Sequence, residues 1–489
     1  MIYRLGISQG ATTRPPSPRA AGIAGLLALS LLLLTGANLQ PVPSAPGVGL
    51  PLAQDHQIVF RSPDPQRLFA YSPGLCLGPD GTLVATLDLG GPGVNDLCGP
   101  VFHRELNGVP SLWQGRVLQS TDNGISWSLR TVYPFMHARP FTAGGTLYVL
   151  GQADDLMIIS SHDGGLSWTP PVRLTKGQNW HQAPGNVVYA NGCVYLVMER
   201  RVTTSIQGWY VGETAPILMR GKVGTDLNRP ENWTFASELV FRNAVDATKL
   251  DYFGVPFFAF ERDHALSVAP GRSMAPPGWL ESNVVQFVEP SHVWYDPAGR
   301  TFHLWMRMNT GGTGYAAIAK VVEDGPEAGQ GRMITQLETV PSGKHIVFVP
   351  CPGGQMKFHV LYDERDGLYW LLCTQATDSM TRPDQLPSDR YSLPNNERRR
   401  LQLQYSRNMI DWCFAGLVAV GATERESRHY ASMVIAGEDL LILSRSGDEK
   451  ARSAHDGNLI TFHRVREFRR LADPSIRPVL PQTEKLLHP

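Results

Sequence analysis

Histidines, arginines and carboxylates stand at the ends of several apolar runs in this chain. His137-Ala138-Arg139-Pro140 precedes one run, and Trp180-His181-Gln182 precedes another. Histidine titrates near neutral pH, so His137 and His181 are candidates for proton transfer and, with Arg139, for substrate contact. Two histidines and a carboxylate can hold a metal, but no spacing such as H-x-x-x-H supports one, and no metal or cofactor is expected. The six cysteines contain no C-x-x-C pair, so a zinc or redox site has no support. Buried free thiols are favoured over a Cys76–Cys98 bridge. Trp180 and Trp279 can stack on the apolar face of a sugar or serve as ordinary core. Gly311-Gly312-Thr313-Gly314 lacks the Lys and the strand–loop–helix setting of a phosphate loop. Arg398-Arg399-Arg400 is a run in which side chains must alternate, so Arg399 or its two neighbours face a given side.

The elements that would position these groups are short β-strands. Gly81–Leu87, Gly145–Leu150 and the pairs Val187–Tyr189/Val194–Val197, Val293–Tyr295/Thr301–Trp305 and Phe358–Tyr362/Leu368–Leu372 are apolar or alternating segments joined by Gly, Asp and Asn turns. Long amphipathic helical patterns are scarce. Many hairpins over some 400 residues predict a sandwich array or a propeller. Internal repeats narrow the choice. Ser120–Trp127 and Ser161–Trp168 both fit S-x-D-x-G-x-x-W, 41 positions apart. A damaged copy lies at Ser406–Trp412 and a weaker one ends at Trp233. The Asp can accept backbone N–H bonds across a tight turn, Gly supplies a positive φ, and Trp packs beneath.

These repeats resemble the Asp-boxes of the sialidase superfamily. The resemblance implies an all-β, six-bladed propeller of four-stranded antiparallel blades over residues 59–470, with Asp122 and Asp163 structural. It also implies a Tyr nucleophile, a Glu that polarises it, an Asp acid/base and three arginines on a substrate carboxylate. In the Ser427–Ile435 segment Tyr430 takes the nucleophile position, and in Leu280–Phe287 Glu281 takes that of its polarising carboxylate. A carboxylate beside a phenol can act as the base that activates it. Arg307 and Arg399 take two clamp positions. The first clamp position holds Tyr71, a departure from the family, with Arg61 a poorer alternative. Asp88 and Asp96 lie in the region of the acid/base without a diagnostic pattern.

Charge excludes some rivals. The 489 residues carry 44 Lys+Arg against 44 Asp+Glu, so a basic nucleic-acid-binding face is not expected. Residues 1–37 join a basic segment, an apolar run and small residues, which predicts a secretory signal and a secreted or periplasmic protein with no stable membrane insertion once it is removed. Residues 38–58 read as a flexible lead-in and 471–489 as a C-terminal tail. The favoured function is an exo-glycosidase that removes a terminal sugar from a glycan or glycoconjugate, with Arg307 and Arg399 holding either an acidic group or sugar hydroxyls. A uronate-specific polysaccharide lyase using His137 or His181 as base, and a non-catalytic glycan-binding propeller, are the alternatives. The sequence leaves oligomeric state open.

Overall fold

The computed structural model describes residues 49–106, 109–246 and 263–476. The expected signal, residues 38–48 of the lead-in and residues 477–489 of the tail lie outside the described residues. Six antiparallel sheets follow one another along the chain and form the six blades of a β-propeller. The innermost strands of blades one to six are Phe69–Leu77, Met136–Ala143, Trp180–His181 with Val188–Ala190, Gly278–Val285, His359–Asp363 and Arg428–Ala436. Helix is confined to short single turns. The ring closes through the N-terminal strand Gln57–Arg61, which pairs antiparallel with Leu459–Val465 as the outermost strand of blade six. Just before it, Leu52 and Ala53 donate to the Leu417 and Val418 carbonyls of blade five.

The second strand of each blade explains the apolar runs. Leu83–Gly90, Cys193–Arg201, Thr301–Asn309 and Leu368–Thr374 are buried almost throughout, because both faces of a blade pack against neighbouring blades. Six apolar clusters fill the six interfaces of the ring. Leu150 and Ile158 meet Leu196 and Ile217 between blades two and three, and Tyr195 and Leu218 meet Phe302 and Leu304 between three and four. Trp305 meets Tyr369 between four and five, Trp370 meets Ile442 between five and six, Leu443 meets Leu87 between six and one, and Val84 meets Val149 between one and two. Each such side chain contributes about 1.5–3 kcal/mol on burial.

The repeated turns each join the third and fourth strands of a blade. In blade one the Ser126 N–H donates to Asp122 Oδ1 (2.9 Å), Gly124 N–H to Ser120 Oγ (2.8 Å), and the Trp127 indole to the Gly124 carbonyl (3.2 Å). Asp163, Ser161 and Trp168 repeat the pattern in blade two. The expected strand Val293–Tyr295 does not form. The backbone turns there (His292 N–H to the Glu289 carbonyl), and Trp294 instead stacks on His303 at 5.1 Å. Thr301–Asn309 pairs with Gly278–Val285. All six cysteines are free thiols.

Candidate active site

Four innermost strands carry the same irregularity. In blades one, two, four and six two residues of the innermost strand stand opposite one on its neighbour, between Tyr71 and Gly74, Met136 and Arg139, Leu280 and Asn283, and His429 and Ser432. The first extra residue in each, namely Ser72, His137, Glu281 and Tyr430, has a left-handed φ of 43°, 53°, 54° and 50°. Non-glycine residues take this conformation only where their surroundings hold them, and bulges re-aim side chains beside active sites. Here the bulges turn all four residues toward one cavity of about 390 Å³ on the propeller axis.

A side chain from the preceding blade pins each bulge. Asp88 Oδ2 accepts the His137 N–H (2.7 Å). Glu199 Oε1 accepts the Ser282 N–H (2.9 Å) and hydroxyl (2.7 Å). Lys357 donates to the Ala431 carbonyl and to Ser432 Oγ, and Ser432 in turn donates to the Pro73 carbonyl (2.7 Å). Glu199 is wholly buried and has one oxygen without a partner among the described residues. Burial pushes its carboxyl up to about 7, against the pull of Ser282. A carboxyl whose pKa is raised on folding adds stability below its unfolded value near 4.5 and loses it as pH rises toward 7, here roughly 3 kcal/mol. Glu199→Gln is therefore expected to flatten the fall in melting temperature between pH 4.5 and 7 relative to wild type. Parallel melting curves for the two proteins across that range would contradict this.

At the cavity floor the Tyr430 hydroxyl donates to Glu281 Oε1 at 2.6 Å. Arg307 Nη1 donates both to the Tyr430 oxygen (2.6 Å) and to Glu281 Oε2 (3.0 Å). Its Nε donates to the Gln355 carbonyl (2.9 Å). Arg307 and Glu281 are 1 % and 3 % exposed, so this ion pair is shielded from water. Burial pushes the Tyr430 phenol up, Arg307 and Arg398 pull it down, and Glu281 pushes it up again. The net effect keeps the phenol protonated, with its proton directed at a carboxylate.

Three guanidinium groups surround the phenol. Arg307, Arg398 and Arg445 lie 5.9, 5.5 and 5.2 Å from the centre of the Tyr430 ring. Arg398 bonds His429 Nδ1 at 2.9 Å. Burial pulls Arg398 down to about 10 and lowers Arg445. Two expectations need correction. Arg399 does not reach the cavity: in the bend just before the strand Arg400–Ser406 its guanidinium donates to the Gly421 and Ala422 carbonyls (2.7 and 2.8 Å), and Arg398 takes the inward place. Arg139, two residues beyond the bulge at His137, runs under the cavity and donates to the Asn186 and Val197 carbonyls (3.2 and 3.0 Å).

Tyr71 does line the cavity, but the Arg445 guanidinium lies 4.1 Å over its ring and its hydroxyl donates to Asp456 (2.7 Å). Arg445 comes from the second strand of blade six. Sequence reasoning missed it, although a lone Arg in the apolar run Leu440–Ser446 was a usable signal. His137 and His181 both line the cavity, with ring centres 5.3 Å apart, and burial is the leading cause lowering both; His181 falls to about 4. Trp180 and Trp279 are buried core, while Trp113 and Trp209 are the tryptophans facing the cavity. Asp88 lies beneath His137, and Asp96 pairs with Arg67 (2.8 Å) outside the cavity. Among the described residues no cluster of His, Cys, Asp and Glu could hold a metal ion.

No protein-family model and no curated relative matches the chain. Among solved structures, a protein of unknown function from Dyadobacter fermentans is 12 % identical with a TM-score of 0.46, over 84 % of this chain and 98 % of that one. A Penicillium chrysogenum α-L-arabinanase complexed with arabinobiose is 12 % identical with a TM-score of 0.43, over 85 % and 99 %. A Trypanosoma rangeli sialidase in complex with sialic acid is 13 % identical with a TM-score of 0.45, over 85 % of this chain and 59 % of that one. The chain is a six-bladed β-propeller whose structural neighbours include a sialidase and an arabinanase.

Proposed function

We propose that this protein is an exo-glycosidase that removes a terminal acidic sugar through Tyr430. The observation that carries the reading is the Tyr430–Glu281–Arg307 contact, assembled from strands 149 and 26 residues apart in sequence. Tyr430 attacks the anomeric carbon while Glu281 takes its proton. A neutral phenol suits an anionic substrate, because a carboxylate nucleophile would be repelled by it. Arg307, Arg398 and Arg445 put three positive charges around Tyr430, against one carboxylate lining the cavity among the described residues, Glu281. A substrate carboxylate fits that excess, since guanidinium groups bind carboxylates with both charge and geometry.

Export through the proposed signal at residues 1–37 would place the enzyme among extracellular or periplasmic glycans. No helix among the described residues is long and apolar enough to cross a membrane. One observation favours a second reading. His137 and His181 are held neutral beside the arginines, as the base of a uronate lyase would be. The full chain assayed on sialosides, uronides and neutral glycosides separates the two. Release of a free acidic sugar supports the glycosidase, and an unsaturated product absorbing in the ultraviolet supports the lyase. Turnover of neutral glycosides alone would overturn the anionic assignment, and binding without turnover would point to a glycan-binding propeller.

A further inference from the structure

We propose that His455, held by Asp456, is the general acid–base partner of Tyr430. The proposal rests on the glycosidase reading above and supplies the proton that reading lacks. Glycosidic cleavage needs an acid for the leaving oxygen. Among the described residues Glu281 is the one carboxylate lining the cavity, and it is committed to Tyr430 and Arg307. Three histidines line the same cavity: His137, His181 and His455.

They differ in their partners. His137 Nδ1 meets the Gln152 amide at 2.8 Å, and its ring faces that of His181. His455 Nδ1 lies 2.7 Å from Asp456 Oδ1. A carboxylate on one ring nitrogen orients the imidazole, favours its protonated form, and leaves Nε2 to face the ligand. Asp456 is itself fixed by the Tyr71 hydroxyl (2.7 Å) and by its own N–H on Ser453 Oγ (2.9 Å). The His455 ring sits between those of Tyr71 (5.7 Å) and Tyr391 (6.0 Å). Its carbonyl accepts from Arg445, the same guanidinium that lies over Tyr430. The dyad and the nucleophile therefore flank one cation.

The charged and titratable groups facing His455 are Arg445, Arg398, Asp456, Tyr71, Tyr391 and His429. Burial and then Arg445 pull the imidazole down to about 3 against the opposing pull of Asp456, so the unliganded site holds His455 neutral near pH 7. An anionic substrate on the arginines offsets their charge, so the substrate itself favours protonation of the acid. In the first step the Tyr430 oxygen bonds to the anomeric carbon and its proton passes to Glu281. The glycosidic C–O bond breaks, and its electron pair on the leaving oxygen takes the proton from His455 Nε2. In the second step His455 takes a proton from the attacking water. The tyrosyl C–O bond breaks and Tyr430 recovers its proton from Glu281.

The test compares wild type, His455→Ala and Asp456→Asn on two probes of one acidic sugar, its 4-nitrophenyl and its benzyl glycoside. A good leaving group needs no acid, and a poor one does. His455→Ala is expected to lose ~100-fold or more in kcat/KM on the benzyl glycoside and to stay within about 5-fold on the nitrophenyl glycoside. Asp456→Asn, which keeps the imidazole, is expected to lose roughly 10-fold on the benzyl glycoside alone. Wild-type kcat/KM on that substrate is expected to fall as pH rises from the acid range. Equal losses on both probes, or none, would overturn the assignment while leaving Tyr430 in place. A wild type inactive on both probes would overturn the glycosidase reading and this assignment with it. Should His455→Ala fail to fold, the ratio of the two probes in Asp456→Asn decides alone.

Discussion

Replacing Tyr430 by Phe is expected to lower kcat on the order of 10⁴-fold, because the variant has no oxygen with which to form the covalent intermediate. Structural damage is expected to be small. Arg307 still holds Glu281 at 3.0 Å, while Glu281 Oε1 loses its 2.6 Å donor and Arg307 Nη1 its 2.6 Å acceptor. That loss costs about 1–3 kcal/mol. Steady-state kinetics beside a melting curve separates the two effects. A mechanism-based fluorosugar should label the wild type on Tyr430, seen as a mass increment on the peptide that contains it, and should leave the variant unlabelled. Residual turnover within 10-fold of wild type, roughly 1.4 kcal/mol of barrier, would transfer the nucleophile role to another group.

Arg307→Met is expected to fail more broadly, losing both activity and stability. Arg307 is the ion-pair partner of Glu281, both are buried, and Tyr430 and Glu281 outweigh the burial that opposes the Arg307 charge. Removing one member leaves a carboxylate buried without its cation, at ~3–5 kcal/mol. Adding Glu281→Gln to Arg307→Met should recover most of the lost stability while leaving the enzyme inactive. A double variant no more stable than Arg307→Met would show that the pair is not the source of the loss.

Much of the fold was legible because blade strands are read by local rules. The apolar runs at Leu83–Gly90 and Thr301–Asn309 are apolar because both faces are covered. The turns at Asp122 and Asp163 close within a few residues, so their spacing carries the whole signal. Val293–Tyr295 misled because a turn that lays one partly buried aromatic, Trp294, on its neighbours has the same composition as a strand.

The site was legible only where the motif also determined the direction of the side chain. Tyr430, Glu281 and Arg307 were named from the chain, and all three meet. Arg399 was misplaced by one residue, since Arg398 and Arg399 lie in the bend that leads into the strand Arg400–Ser406, where strand alternation does not apply. Arg139 was misassigned because the bulge at His137 resets the phase of the residues that follow.

Most strands, the repeated turns, the class of fold and the residue types available for chemistry are legible in the sequence, because hydrophobic periodicity and turn composition act over a few neighbours. The tertiary structure alone decided which residues form the site. Ring closure brings Tyr71, Arg307, Arg398, Tyr430, Arg445 and His455 to one axis. The bulge pins from Asp88, Glu199 and Lys357 hold the strand irregularities at His137, Glu281 and Tyr430, and each pin crosses between blades, where sequence distance carries no information.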